Sequence, residues 1–160
     1  MSWVIPFSEA GQIREQLRLG DGKLVFTNGC FDVLHAGHVR YLEGARKLGA
    51  ALVVGLNGDA SVRTLKGENR PINAEGDRAE VLAGLRSVDA VVIFPEVRAT
   101  ELIRTLRPDV YAKGGDYTVE SLDGDERAVL QSFGCEIAFV PLVPGRSTTS
   151  TLARMRLSGK

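Results

Sequence analysis

The 160-residue sequence has few cysteines, no excess charge of either sign and no long apolar run. Two cysteines, Cys30 and Cys135, are too few for a disulfide framework or a cysteine zinc site, which predicts free thiols in a reducing compartment. Lys and Arg together number 20, as do Asp and Glu, so the positive field that attracts nucleic acids and membrane surfaces is missing. No apolar segment approaches the ~20 residues of a membrane span, and residues 1–6 do not have the pattern of a secretory signal. We therefore expect a soluble, cytoplasmic protein that binds neither nucleic acid nor a membrane.

Three motifs of well-known enzyme classes are also missing from the sequence. There is no G-x-x-x-x-G-K-[ST] phosphate loop, which argues against a kinase or ATPase of that type. No G-x-G-x-x-G follows the first predicted strand, which argues against a dehydrogenase. No G-x-S-x-G elbow is present, which argues against an α/β hydrolase.

The sequence does have a regular alternation of apolar strands and amphipathic helices. Strands are predicted at 23–27, 51–56, 90–94, 110–112 and 136–140, and helices at 37–48, 75–88, 100–106, 125–133 and from 147 onward. The strands are continuous apolar runs, so both faces of the sheet should be covered by helices. This pattern predicts one doubly wound, Rossmann-like α/β domain with a five-stranded parallel sheet. Residues 1–21, with a helix at 8–19, are predicted to be an extension before a core at 22–157.

Polar and glycine-rich segments follow the predicted strands at their carboxyl ends. These segments are 27–38, 57–59 with 66–71, 113–117 and 144–149. Open α/β sheets bind ligands at this edge, where the strand order reverses. We therefore expect the segments to converge on one ligand-binding crevice.

The only two histidines, His35 and His38, lie three residues apart at the start of a predicted helix. This spacing places both rings on one face of the first turn. Gly37 between them carries no side chain, and the free N–H groups of a helix amino terminus attract anions. The alternative is a surface pair or a metal site, but a structural zinc site needs four ligands and there is no third histidine. The arrangement favours phosphate binding, with both imidazoles donating hydrogen bonds to phosphoryl oxygens.

Other polar residues of these segments are candidates for contacts with phosphate or nucleotide. Ser147, Thr148 and Thr149 precede the last helix and are interpreted as a second phosphate site, with a simple helix cap as the alternative. Lys66 and Arg70 lie in a loop and are interpreted as phosphate-neutralising cations, although loop lysines are usually solvated.

The segment after the fourth strand offers Lys113, Gly115 and Asp116, for which a tight turn with incidental charges is the alternative. Asn57 is a binding residue or the cap of a following helix. Arg78 either faces the site or pairs with Asp77 or Glu80 on its own helix, and the pairing is the favoured interpretation.

Four separated motifs resemble those of one family. Residues 31–38 are similar to the H-x-G-H signature of the cytidylyltransferase-like nucleotidyltransferases. Residues 27–49, Lys66-Gly67 with Arg70-Pro71, 113–117 and 147–149 together resemble the adenylyltransferases of ADP-heptose synthesis. The resemblance spans about residues 22–153 and is specific because the motifs occur in order.

The resemblance implies transfer of AMP from ATP, accompanied by Mg²⁺, to D-glycero-D-manno-heptose 1-phosphate, giving an activated heptose for lipopolysaccharide. It implies that a separate sugar kinase supplies the substrate, and it is compatible with a homodimer. A CTP-dependent enzyme, another phosphorylated acceptor such as glycerol 3-phosphate or phosphopantetheine, and a non-catalytic nucleotide-binding module remain alternatives.

The predicted site has catalytic and nucleotide-binding members and no protein-bound metal. The predicted catalytic residues are His35, His38 and Lys66. The predicted nucleotide-binding residues are Asn28, Gly29, Cys30, Phe31, Gly37, Asn57, Arg70, Lys113, Gly115, Asp116, Ser147, Thr148 and Thr149.

Overall fold

The computed structural model describes residues 3–158, except for the side chain of Ser158. The strands are β1 Val4–Ile5, β2 Leu24–Gly29, β3 Ala51–Asn57, β4 Ala90–Phe94, β5 Val110–Gly114 and β6 Glu136–Val140. The helices are α1 Ile13–Gln16, α2 Ala36–Arg46, α3 Asp59–Lys66, α4 Glu75–Ala83, α5 Thr100–Leu106, α6 Gly124–Ser132 and α7 Thr148–Ser158. Two short 3₁₀ helices cover Phe7–Gln12 and Val119–Ser121. Within residues 3–158, no helix is both long and apolar enough to cross a bilayer.

The sheet has six parallel strands in the order β1-β4-β3-β2-β5-β6. The predicted doubly wound parallel α/β fold is therefore confirmed, whereas the predicted number of five strands is wrong. The additional strand is β1, which pairs with β4 at one edge and whose neighbour Trp3 accepts a hydrogen bond from the Val91 amide at 2.9 Å. Two residues followed by Pro6 are too short to produce a recognisable strand pattern.

The segment before β2 packs into the core. The helix predicted at 8–19 is in fact the 3₁₀ helix Phe7–Gln12 followed by the four residues of α1. Ile5, Ala10 and Ile13 are buried in the same apolar cluster as the inner side of α5. These residues extend the covered area of the sheet, and their assignment to a separate extension stays a prediction.

Each face of the sheet has its own apolar layer, because the strands carry large apolar side chains on both faces. On one face, strand residues such as Phe26 pack against Leu102 and Ile103 of α5 and Leu130 of α6. On the other face, α2 and α4 cover the sheet with residues such as Leu42 and Leu82. The strands consequently leave only their ends for polar chemistry.

The segment between β3 and α4 contains a helix that the sequence analysis treated as part of a polar loop. Asp59–Lys66 forms α3, and its first amide donates a 2.6 Å hydrogen bond to Oε2 of Glu75 at the start of α4. Gly67 ends α3 with a φ of 102°, a conformation that favours glycine. Helix α4 ends at Ala83, five residues before the predicted end at 88. Because Lys66 is the last residue of α3, its position is set by the end of that helix.

Candidate active site

A cleft of about 450 Å³ opens at the carboxyl ends of β2 and β5. Strand β2 lies between β3, which follows it in the chain, and β5, which comes later in the chain, after β4. This is the point of strand-order reversal at which such sheets bind ligands. The cleft brings together ten of the residues predicted to form the site: Asn28, Gly29, Cys30, Phe31, His38, Asn57, Lys66, Arg70, Lys113 and Thr148.

His38, in the first turn of α2, faces the cleft as a neutral imidazole. Its Nδ1 accepts the backbone N–H of His35 at 3.4 Å, which leaves the ring proton on Nε2. Burial, and then the positive charges of His35 and Lys66, together lower the pKa of His38 to about 4. At neutral pH the side chain is therefore a hydrogen-bond donor without a net charge.

His35 lies directly against His38, outside the lining of the cleft. The two rings stack with centroids 3.9 Å apart and an angle of 27° between their planes. Burial, and then the charge of Arg146, lower the pKa of His35. Its Nδ1 is buried and has no hydrogen-bond partner among residues 3–158. A methyl group at Gly37 would lie 2.9 Å from the His35 ring and 3.0 Å from Cβ of Arg146, so Gly37 makes room for both.

Contacts of the loop before α2, and of α2 itself, hold the His38 ring in place. Phe31 is buried, has a φ of 43°, and meets the His38 ring edge-on with centroids 5.4 Å apart. A side chain at Gly29 would come within 3.0 Å of the Phe31 ring. One turn after His38, the hydroxyl of Tyr41 donates to the carbonyl of Ala112 at 3.0 Å, which ties α2 to β5. These contacts fix the orientation of the imidazole.

Asp32 holds the loop that carries Arg70. Its side chain is 2% exposed, and Oδ2 accepts Nε of Arg70 at 2.5 Å. Oδ1 accepts the amides of Ile72 at 2.8 Å and Asn73 at 3.2 Å. Hydrogen bonds from Arg70 and from these two amides keep the pKa of Asp32 below its usual value in spite of burial. The positive charge of Arg70 is therefore already balanced.

Lys66 is exposed at the last residue of α3 and lines the cleft near His38. Within residues 3–158 it makes no ion pair. A long side chain without a fixed partner can follow a phosphate during reaction.

Lys113, at the end of β5, is held between polar and aromatic groups. Its Nζ donates to Oδ1 of Asn28 at 3.3 Å and lies 5.2 Å from the Tyr111 ring centroid and 5.4 Å from that of Tyr117. The Tyr111 hydroxyl donates to the same Asn28 oxygen at 2.7 Å. Burial lowers the pKa of Lys113, and the carboxylate of Glu126 acts against this shift. Gly115 and Asp116, which follow, are exposed and outside the cleft lining.

The three hydroxyl residues at the start of α7 make different contacts. Ser147 Oγ accepts the amide of Ser150 at 3.1 Å, which is the behaviour of a helix cap. Thr148 lines the cleft and donates its hydroxyl to the carbonyl of Val33 at 3.2 Å. Thr149 is exposed outside the lining. Only Thr148 of this triplet is presented to the cleft.

Arg78 connects the segments behind the cleft. Its side chain is 1% exposed and donates to the carbonyls of Cys30 at 2.6 Å, Asn57 at 3.0 Å and Asn73 at 3.0 Å. It also pairs with Asp59 at 2.7 Å. The interpretation that Arg78 pairs within its own helix is therefore wrong.

The four partners of Arg78 come from three segments, namely the loop after β2, the end of β3 with the start of α3, and the loop before α4, which a guanidinium reaches with its five fixed donors. Asn57, itself buried, donates its side-chain amide to Ser61 Oγ at 3.2 Å and to the carbonyl of Glu96 at 3.3 Å. Arg78 thus lies behind the cleft, and Asn57, which lines it, is held in the back wall by these contacts.

The cleft also contains residues that the sequence analysis did not include in the site. They are Asp32, Tyr41, Leu65, Val97, Arg98, Gly114, Tyr117 and Glu126. Asp32 and Tyr41 had a usable signal, because Asp32 lies in the quoted segment 27–38 and Tyr41 follows His38 at helical spacing. Arg98 lies in the loop after β4 and had the same signal as the other segments, whereas Glu126 had none, since only the tertiary fold brings α6 to this edge.

The protein has a parallel α/β sheet with a crevice at its switch point, and two helix amino termini lie beside a neutral histidine. These features define a nucleotide-binding protein of the Rossmann-like class. A sequence profile described as cytidylyltransferase-like matches residues 26–156. The chain belongs to the cytidylyltransferase-like family of nucleotidyltransferases.

Comparison with individual proteins agrees with this assignment. The chain is 53% identical over 132 residues to the bifunctional protein HldE of Syntrophotalea carbinolica, covering 82% of this chain and 26% of that protein. It is 47% identical over 159 residues to the bifunctional protein HldE of Aliarcobacter butzleri, covering 99% and 32% respectively. The chain thus spans about a quarter to a third of the length of these curated relatives.

Two solved structures have a similar fold. The lipopolysaccharide core biosynthesis protein of Thermoplasma volcanium is 27% identical with a TM-score of 0.62, covering 76% of this chain and 97% of that one. The pantoate-beta-alanine ligase of Francisella tularensis, solved with beta-gamma ATP and beta-alanine, is 13% identical with a TM-score of 0.59, covering 93% and 69%. The second likeness concerns the fold alone.

Proposed function

We propose that the protein transfers AMP from ATP to D-glycero-D-manno-heptose 1-phosphate, forming ADP-heptose and pyrophosphate. The observation that carries the proposal is the convergence of three groups on one cleft: the neutral imidazole donor of His38, the ammonium of Lys66, which makes no ion pair within residues 3–158, and the helix-terminal hydroxyl of Thr148. These groups suit a triphosphate. The choice of acceptor is supported by the four ordered motifs and by the similarity to a lipopolysaccharide core biosynthesis protein.

The reaction we propose is a direct in-line displacement. A phosphate oxygen of the sugar phosphate attacks the α-phosphorus of ATP, a new P–O–P bond forms, and the bond to the β-phosphate breaks to release pyrophosphate. The attacking oxygen is already anionic at neutral pH, so the step needs no general base. Catalysis then consists of positioning and of stabilising negative charge.

The residues of the cleft have distinct proposed roles in this step. The Nε2–H of His38 donates to a phosphoryl oxygen as charge develops, and His35 stacks behind it. Lys66 follows the phosphate whose bonds change. Thr148, at the amino terminus of α7, contacts the leaving pyrophosphate together with free helix amides. Arg70 and Lys113 line the same space. The charge of Arg70 is offset by Asp32, and the Lys113 ammonium donates a hydrogen bond to Asn28.

Mg²⁺ belongs to this proposal as part of the ATP substrate. Within residues 3–158 no group of three or more His, Cys, Asp or Glu side chains is arranged as a metal site. Asp32, the carboxylate nearest the phosphate end, is engaged by Arg70 and two backbone amides. Mg²⁺ commonly keeps several waters and binds substrate phosphates with few protein ligands, which fits this setting.

The test is a pyrophosphate-release assay in which ATP or CTP is combined with heptose 1-phosphate, glycerol 3-phosphate or phosphopantetheine. We expect release with ATP and heptose 1-phosphate above all other pairs. Preference for another pair would replace the proposed substrate. ATP binding without release for any acceptor would favour a non-catalytic nucleotide-binding module.

The wider setting is proposed on the family resemblance. A sugar kinase would supply heptose 1-phosphate, the enzyme would work in the cytoplasm, and two copies would form a homodimer. Light scattering of the purified protein tests the last point directly.

A further inference from the structure

The side of the cleft formed by α6 and the loop before α5 has a different chemistry from the side that holds His38. A carboxylate, Glu126 of α6, lines it together with the cations Lys113 and Arg98 and the half-exposed ring of Tyr117. A carboxylate repels phosphate, so its presence in a cleft built for a triphosphate requires another explanation.

Glu126 is a built-in part of the wall. The residue is 4% exposed, and its Oε1 accepts the amide of Ala99 at 2.8 Å, just before α5 begins. This contact and an interaction with the Tyr111 hydroxyl hold the carboxylate in place. The other cleft carboxylate, Asp32, differs because Arg70 and two backbone amides use both of its oxygens.

The neighbouring groups supply both donors and acceptors. The Lys113 ammonium is a donor, the Asn28 amide oxygen and the Glu126 carboxylate are acceptors, and Arg98 is a donor held by Asp123 at 3.4 Å. The positive charge of Lys113 is in turn stabilised by Glu126. Phosphate only accepts hydrogen bonds at neutral pH, whereas a hydroxyl group both donates and accepts. A mixed set of this kind therefore matches hydroxyls better than phosphate.

We propose that Glu126, with Lys113 and Tyr117 beside it, binds the hydroxyl groups of a sugar ring and so determines which sugar-bearing substrate is accepted. The inference rests on the proposed function, because both substrates of that reaction carry a sugar: the ribose of ATP and the heptose of the acceptor. A hydroxyl donates to the Glu126 carboxylate and accepts from Lys113, while the Tyr117 ring covers an apolar face of the sugar.

Binding constants measured by calorimetry test the inference without requiring turnover. The ligands are ATP, 2′-deoxy-ATP, 3′-deoxy-ATP, heptose 1-phosphate and inorganic tripolyphosphate. The variant is Glu126→Gln, which keeps an oxygen for the Ala99 amide and removes the charged acceptor. We expect the Kd of one sugar-bearing ligand to rise about tenfold, as when a hydrogen bond to a charged group is weakened. The Kd of tripolyphosphate should not rise.

The two sources of the sugar give different patterns. If Glu126 binds ribose, the Kd rises for ATP, and one deoxy analogue binds wild type and variant equally. If it binds the acceptor, the Kd rises for heptose 1-phosphate alone. Unchanged or tighter binding of both ligands would overturn the inference, since loss of a mere repulsive charge has that effect.

Two further measurements keep these outcomes interpretable. Asp125→Asn removes the same charge one position earlier on α6, where the side chain is exposed, and should leave every Kd unchanged. The deoxy analogues on wild-type protein report the ribose contact even if the Gln variant folds poorly. If transfer to heptose fails while Glu126→Gln still weakens ATP binding, the proposed acceptor is wrong and the role of Glu126 stands.

Discussion

Replacing His38 separates two ways in which an imidazole can assist phosphate chemistry. With a pKa of about 4, only about one molecule in a thousand carries an imidazolium at pH 7. The side chain therefore acts through the proton on Nε2, which the hydrogen bond at Nδ1 fixes in place. Loss of one such donor aimed at developing charge typically lowers turnover about 10²–10³-fold, equivalent to about 2.7–4 kcal/mol.

Three variants measure this effect. His38→Ala removes the donor, and we expect kcat to fall about 10²–10³-fold. His38→Asn retains a short polar group near the position of Nδ1 but does not reach the position of Nε2, so it should be as impaired as the alanine variant. His38→Gln extends an amide N–H toward the position of Nε2 and should recover part of the loss.

Pyrophosphate release under saturating substrates gives kcat, and thermal unfolding shows that each variant is folded. Normal turnover in His38→Ala would remove this residue from the mechanism. Equal losses in folded His38→Gln and His38→Ala would refute the reasoning that a neutral N–H donor is what matters.

Three other predictions follow from described contacts. The ring of His38 should titrate in NMR spectra with a midpoint of about 4, and because this pKa lies below the unfolded value, stability should fall as pH drops from about 6.5 to 4. Lys66→Ala should raise KM for a phosphorylated substrate and lower kcat, since its charge lies at the cleft. Arg78→Met should lower the free energy of unfolding by about 3–5 kcal/mol, measured by urea denaturation, because it leaves a carboxylate and three carbonyls without their donor.

Each of these predictions has a comparison that can contradict it. A His38 midpoint near 6.5 would mean that the ring is open to water. Arg63→Ala, one turn before Lys66 on the exposed side of α3, should leave both kinetic constants unchanged. An Arg78→Met protein as stable as wild type would show that the four contacts do not contribute to folding.

Much of the fold could be predicted because its signals are local. The limits predicted for β4, α5 and β6 are those of the structure, since apolar runs and a terminating Pro108 mark them within a few residues. Strand β1 was missed because two residues carry no periodicity. Helix α3 was missed because only Val62 and Leu65 are large apolar residues in it, and its first amide is satisfied by Glu75 from the next helix.

In the candidate site, too, residues with a local sequence signal could be predicted and residues without one could not. The histidine pair was recognisable because both residues belong to one helical turn. The difference between Thr148, which lines the cleft, and Ser147, which caps α7, depends on a rotation that spacing alone does not specify. The role of Arg78 was misread because its partners, such as Asn57 and Cys30, are distant in sequence. Interactions across the sheet edge have no local signature.

The pairing of Asp32 with Arg70 has a kinetic consequence. Basic side chains around a cleft usually speed the arrival of an anion by long-range attraction, which salt suppresses. Here Arg70 and Arg98 are each matched by a carboxylate, and the whole chain has no net charge. The salt dependence of ATP association should therefore come from Lys66 and Lys113 and be weaker than four unpaired cations would give, with discrimination arising after the encounter, at contact distance.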